Sequence, residues 1–180
     1  EYTRSDASIV FAANGGTPQP DPLAGTAGSS VNALLPGISR YGYEFGGWSK
    51  VNDRTSPDYI SALPAVYPNL PVTYYAIWDP DPNVKFDYTV DYTNQNGSIV
   101  FQTTTTEDTY PVESVIQAQK KPIHGYVWSL SDSLTSPADY DYGDGQGAVP
   151  IGNFNGSTGD FDGLMPGQDA AVRYAYQVDP

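Results

Sequence analysis

The chain has 180 residues, with 8 Lys and Arg against 21 Asp and Glu, a formal net charge of −13, and no cysteine. Such a field repels phosphate backbones and anionic membrane surfaces, so nucleic acid is excluded as a partner. The missing thiols exclude disulfides, thiolate zinc sites and cysteine nucleophiles. No apolar run reaches the length of a membrane span, so no membrane insertion is expected, and the charged start at Glu1 reads as that of a mature or excised fragment.

The apolar fraction of 39% with 15 Tyr, 6 Phe and 3 Trp supports a core. The 18 Gly and 16 Pro favour short elements joined by turns. The class is therefore β-rich. In chain order, Ser8-Ile9-Val10-Phe11 predicts a strand that runs into a reversal at Asn14-Gly15-Gly16, where positive φ is needed. A Pro-, Gly- and Ser-rich loop follows. Val31, Leu34 and Leu35 then stand at i, i+3, i+4, which predicts one or two helical turns ending at Pro36-Gly37. Gly42-Tyr43-Glu44-Phe45-Gly46-Gly47-Trp48 predicts a strand whose Tyr43, Phe45 and Trp48 enter one small core while Glu44 faces water. Val72-Thr73-Tyr74-Tyr75-Ala76-Ile77-Trp78 alternates as a closing strand. Asp79-Pro80-Asp81-Pro82 reads as a stiff hinge unable to continue a sheet.

The second half replays this plan. Tyr92 leads into Asn96-Gly97 as Phe11 leads into Gly15-Gly16, at an offset of 81, and Gly125-Tyr126-Val127-Trp128 follows Gly42-Tyr43 at an offset of 83. Val172-Arg173-Tyr174-Ala175-Tyr176 closes this half. Ordered matches at nearly constant offset argue for an internal repeat, with modules at 1–82 and 83–180. The second copy carries a long insertion at 129–159, rich in Gly, Asp, Ser and Tyr, which reads as the least core-like part of the chain.

Phe11-x-x-Asn14-Gly15-Gly16, then Gly42-Tyr43-x-Phe45-x-Gly47-Trp48, then Tyr75-Ala76-x-Trp78, resemble the Listeria–Bacteroides repeat, the B-repeat of internalin surface proteins. In the second half, Tyr92, Gly125-Tyr126 and Val172-x-Tyr174-x-Tyr176 are similar to a mucin-binding-protein-type repeat. That half departs from the B-repeat by lacking Gly-Trp after Tyr126 and by Gln177 at the closing Trp position. The resemblance implies a β-rich α+β class: two tandem small β-grasp-like modules, each a mixed sheet with at most one short helix. It implies no enzymatic activity and no cofactor, and modules that occur in tandem on secreted or wall-anchored bacterial surface proteins. Its motif positions transfer as core positions: Phe11, Tyr43, Phe45, Trp48, Tyr75 and Trp78, then Tyr92, Tyr126, Trp128, Tyr174 and Tyr176.

Chemistry-bearing residues are sparse. Tyr59, Tyr140 and Tyr142 lie in loops and are the candidates for stacking on a sugar ring, whereas aromatics at alternating strand positions form cores. Asp139, Asp141 and Asp144 gather carboxylates among glycines, as hard-cation sites do. They fail the calcium-loop pattern, because Gly143 and Asp144 occupy each other's expected places. Asp160-x-Asp162-Gly163 is a second fragment of that kind. His124 is the lone histidine, and no Gly-x-Ser-x-Gly, His-Glu-x-x-His or phosphate-loop pattern accompanies it. The expectation is a non-enzymatic, monomeric, extracellular stalk or spacer with neighbouring repeats as partners. The alternative is a module that binds host glycans or mucin-type glycoproteins through the loop tyrosines.

Overall fold

The computed structural model of the chain describes residues 6–143 and 147–180. It is β-rich throughout, with no helix among the described residues. The chain divides into two compact units, one running to Asp79 and taking in Gly143, the other comprising Pro80–Tyr142 and Gly147–Pro180.

In the first unit, β1 (Asp6–Ala12), β2 (Leu23–Thr26), β3 (Tyr43–Ser49) and β4 (Val72–Pro80) form one sheet in the order β2-β1-β4-β3. β1 runs antiparallel to β2 and parallel to β4, with Phe11 opposite Tyr74. Ile9 and Phe11 alternate into the core with Tyr74, Ala76, Ile77 and Trp78, as period two requires of a half-buried strand. Trp48 meets Phe11 edge to face at 5.0 Å. Phe45, expected in the core, is 38% exposed while its ring meets Trp48 at 5.7 Å and Trp78 at 5.2 Å.

The predicted helical turns at 31–35 do not form. The N–H of Val31 donates to Ala65 O (3.0 Å), and Pro36 O accepts from Trp48 Nε1 (2.9 Å). Cross-chain bonds thus take groups that a helix would pair internally, and Leu34 is left 90% exposed. The expected hinge is also partly sheet. β4 continues to Pro80, whose missing N–H costs nothing at a strand end. Asp81 Oδ1 then accepts from the backbone N and the Nδ2 of Asn83, closing a turn before the next strand.

The second unit contains β5 (Lys85–Asn94), β6 (Ile99–Pro111), β7 (Val115–Ala118), β8 (Tyr126–Ser136), β9 (Asp139–Asp141), β10 (Ala148–Pro150), β11 (Gly152–Phe154), β12 (Phe161–Leu164) and β13 (Ala170–Val178). Its main sheet has the order β6-β5-β13-β8, with β5 and β13 parallel. First strand, its hairpin partner, closing strand and Gly-Tyr strand therefore occupy the same relative places as in the first unit. The turns recur as well. Gly16 N donates to Ala13 O and Gly97 N to Asn94 O, each at 2.9 Å, and Tyr43 N donates to Arg40 O and Tyr126 N to Ile123 O, each at 3.1 Å. Gly42 and Gly125 precede these tyrosines at φ 84° and 79°, a conformation that glycine adopts without a Cβ clash. The pairing of Phe11 with Tyr74 and of Tyr92 with Tyr174 sets Val178, rather than Gln177, at the place of Trp78.

The 129–159 stretch is more structured than its composition suggests. It completes β8, forms the β9–β10 hairpin, and supplies β11 to a second sheet of order β11-β12-β7. Gly152 and Gly163 stand opposite each other there, so the ring of Phe161 lies on backbone with no Cβ between. Phe154 from β11 meets Tyr174 edge to face at 5.3 Å, and Tyr92 stacks on Tyr174 at 5.5 Å. Ile116, Ile151 and Phe161 are buried with them.

Candidate functional site

The motif residues of the first unit hold backbone in place. Asn14 lies at φ 46°, and its Nδ2 donates to Asn52 Oδ1 (2.8 Å) and Ala76 O (2.9 Å), tying the reversal after β1 to β4. Trp78 Nε1 donates to Ala13 O at 2.9 Å within the buried core. Tyr75 is half-buried, as are Tyr126 and Trp128 in the second unit, while Tyr174 and Tyr176 are fully buried. Lys120 Nζ lies 4.7 Å from the ring centre of Trp128, a cation–π contact on one face of the ring.

The loop tyrosines do not form an exposed set. Tyr59 belongs to the first unit and lies against the flat backbone of Gly46 and Gly47, with its hydroxyl beside the Gly46 position. Tyr140 and Tyr142 meet edge to face at 5.0 Å in the second unit. Tyr142 is only 6% exposed, and its hydroxyl donates to Leu164 O at 2.9 Å. Burial first, and the nearby Glu113 carboxylate second, push its phenol well above the ordinary tyrosine value. A ring held this way is core, which corrects its assignment as a stacking surface.

Asp139 and Asp141 lie on β9, paired with Pro150 and Ala148 of β10. Asp144 lies outside the described residues. Among the described residues, no three His, Asp or Glu side chains gather as a metal site. Asp162 Oδ1 accepts from Gln117 Nε2 across β12 and β7.

The polar constellation that sequence reasoning missed sits on β8. This strand pairs Leu134 with Arg173 and Ser129 with Ala175, so four residues, 130–133, stand against the single Tyr174 of β13. The excess chain folds out as a wide bulge. Ser133 pins it, accepting from Trp128 Nε1 (3.0 Å) and Ala175 N (3.1 Å) while donating to Ser129 O (2.7 Å). Ser129 Oγ and Gln177 Nε2 both donate to Asp132 Oδ2, at 2.7 and 3.1 Å. These bonds, that of Ser129 foremost, hold the Asp132 carboxyl below the usual carboxylate range. The one signal in the sequence is Ser129-x-Ser131-Asp132-Ser133, turn chemistry set between strand residues.

These features define small, sheet-built units whose motif residues serve packing and turns. Residues 8–77 match the family model described as the Listeria-Bacteroides repeat domain. No curated protein matches the chain. Among solved structures it is similar to one described as the crystal structure of Mub-RV, at 13% identity, covering 99% of this chain and 100% of that one with a TM-score of 0.29.

Proposed function

We propose that the chain is a non-enzymatic repeat segment of a bacterial cell-surface protein, extracellular and either secreted or attached to the cell wall. In this reading it consists of two β-grasp-like modules, 1–82 and 83–180, and serves as a load-bearing stalk or spacer between neighbouring repeats. The repeat family of residues 8–77 supports the setting. The observation that carries the role is the side-by-side, parallel placement of the first and closing strands in each unit. Force applied to the ends of such a pair runs along both strands in opposite senses. It must then shear the ladder bonds together rather than unzip them one at a time.

The two ladders differ in length. β1 and β4 are in register over four residue pairs, from Ile9↔Val72 to Ala12↔Tyr75. β5 and β13 are in register over seven, from Ala170↔Tyr88 to Tyr176↔Asn94. Stretching single molecules from their ends should give two separate force peaks, the first-unit peak at the lower force. The released contour lengths identify them, because extended chain adds about 3.3–3.6 Å per residue and the units differ in size. Extension without a force peak would overturn the load-bearing role.

A further inference from the structure

Two turns of the second unit carry the same three residues. Asn155-Gly156-Ser157 follows β11 and Asn96-Gly97-Ser98 follows β5. An asparagine before glycine can close a ring onto the next backbone nitrogen, and the matching residues give both sites one intrinsic reactivity. A difference between them in the folded chain is therefore structural. Both asparagines are exposed, but their surroundings differ. Asn155 Oδ1 accepts from Ser157 N (2.9 Å) and Thr158 N (3.1 Å), and no hydrogen bond engages Gly156 N among the described residues. At the other turn Gly97 N donates to Asn94 O at 2.9 Å, and the side chain of Asn96 has no bond among the described residues. Asn94 holds the two-donor arrangement there, its Oδ1 accepting from Asn96 N and Ser98 N at 3.0 Å each, but Gln95 follows it in place of glycine. Asn14 precedes Gly15, yet it is half-buried and its Nδ2 is bound to Asn52 Oδ1 and Ala76 O.

We propose that Asn155 is a self-modification site, converting to aspartate and isoaspartate in the folded protein ahead of the other Asn-Gly pairs. Hydroxide takes the proton of Gly156 N, and the nitrogen attacks Cγ of Asn155. The charge that forms on Oδ1 meets the N–H groups of Ser157 and Thr158 already in place, as preorganised donors meet an oxyanion elsewhere. Collapse breaks the bond from Cγ to Nδ2, which leaves with a proton as ammonia and closes a succinimide. Water then adds to one ring carbonyl and breaks its bond to the Gly156 nitrogen. Opening at Cγ gives aspartate; opening at the backbone carbonyl gives isoaspartate, with the chain now routed through Cγ. Either product adds a negative charge. Isoaspartate also adds a carbon to the backbone of a loop closed by Asn155 N to Asp160 O and Gly159 N to Asn155 O, each at 2.7 Å. The inference goes beyond the spacer reading and does not rest on it.

The test incubates the whole chain in mildly alkaline buffer, folded and in urea, and follows each Asn-Gly peptide by mass and by isoaspartate content. In urea Asn155 and Asn96 should convert at equal rates. In the folded chain Asn155 should lead Asn96 by about fivefold or more, the worth of two modest hydrogen bonds to the developing charge. Gly156→Ala should slow Asn155 severalfold by crowding the nitrogen. It should fold as the parent does, since its Cβ would meet only Leu130 Cδ2 at 3.4 Å and Gly156 is not in the left-handed range. Ser157→Pro removes one donor and should slow conversion by about two- to tenfold. If that variant disturbs the loop, the order of rates in the parent still decides. Three results would each overturn the proposal: Asn96 converting as fast as Asn155 in the folded chain, the same lead persisting in urea, or an unchanged rate in Gly156→Ala.

Discussion

Gly16 and Gly37 show that two glycines of one loop-rich module do different work. A Cβ on Gly16 would collide with Cζ2 of Trp78 and stand 3.0 Å from Ala13 O and 3.1 Å from Ile38 Cδ1. Trp78 is wholly buried and fixed by its bond to Ala13 O, so it has nowhere to retreat. At Gly37 a Cβ would meet nothing within 4 Å, and its φ is not in the left-handed range. Gly16→Ala should therefore destabilise the first unit by roughly 1–3 kcal/mol, the usual cost of forcing atoms into a packed core. Gly37→Ala should be neutral or stabilise by about 0.4–1 kcal/mol, because it restricts only the unfolded chain. Urea unfolding of the two variants checks both signs. Equal effects would mean that the contact with Trp78 does not set the requirement for glycine at the Asn14-Gly15-Gly16 reversal.

At the scale of elements, one hydroxyl makes three of the hydrogen bonds that hold the bulge of β8. Ser133 Oγ satisfies the Trp128 indole N–H and the Ala175 backbone N–H, and its proton goes to Ser129 O. Ser133→Ala strips both donors of their acceptor at a half-buried position, at a cost of roughly 1–3 kcal/mol. Denaturant unfolding followed by the Trp128 signal should show that loss, and Ser133→Thr, which keeps an oxygen there, should recover part of it. This element also marks where sequence reading stops. The strands β1, β4, β5 and β13 are legible because alternating aromatics leave one face that must be buried. Their turns are legible because Asn-Gly and Gly-Tyr pairs need positive φ. The bulge is not, because its pinning bond joins Ser133 to Ala175, 42 positions away. The loss of the helix at 31–35 has the same origin, since Val31 is claimed by Ala65 and Pro36 by Trp48. Of the candidate residues, Tyr142 was misread because a Gly- and Asp-rich neighbourhood says nothing of the contact with Leu164 that buries it.

For the whole molecule, the distribution of buried phenols makes the two units unequal in alkali. Tyr88, Tyr92, Tyr142, Tyr174 and Tyr176 of the second unit are all shifted above the ordinary tyrosine value, burial being the leading cause in each. Neighbouring phenols add to it, Tyr110 and Tyr92 at Tyr88, and Tyr88 and Tyr92 at Tyr174. In the first unit Tyr59 shifts the same way, from partial burial and then the Asp79 charge. A raised phenol keeps its proton in the folded state while the unfolded chain releases it near pH 10. The contribution of these groups is therefore complete below about pH 10 and is lost as pH climbs toward their folded values, at about 1.4 kcal/mol per tyrosine for each pH unit. Against the roughly 5–15 kcal/mol that holds a small domain together, several such tyrosines bring collapse above about pH 10, before the folded phenols themselves ionise. The second unit should unfold before the first as pH is raised, its buried phenols ionising together in one cooperative step. Mass mapping of brief proteolysis across the titration locates the first cuts. Cuts confined to residues after 80 are expected, and first cuts between β1 and β4 would refute the ordering. The same phenols that pack the second unit, with Tyr92 stacked on Tyr174 and Tyr174 edge to face with Phe154, thus also set the condition under which it fails first.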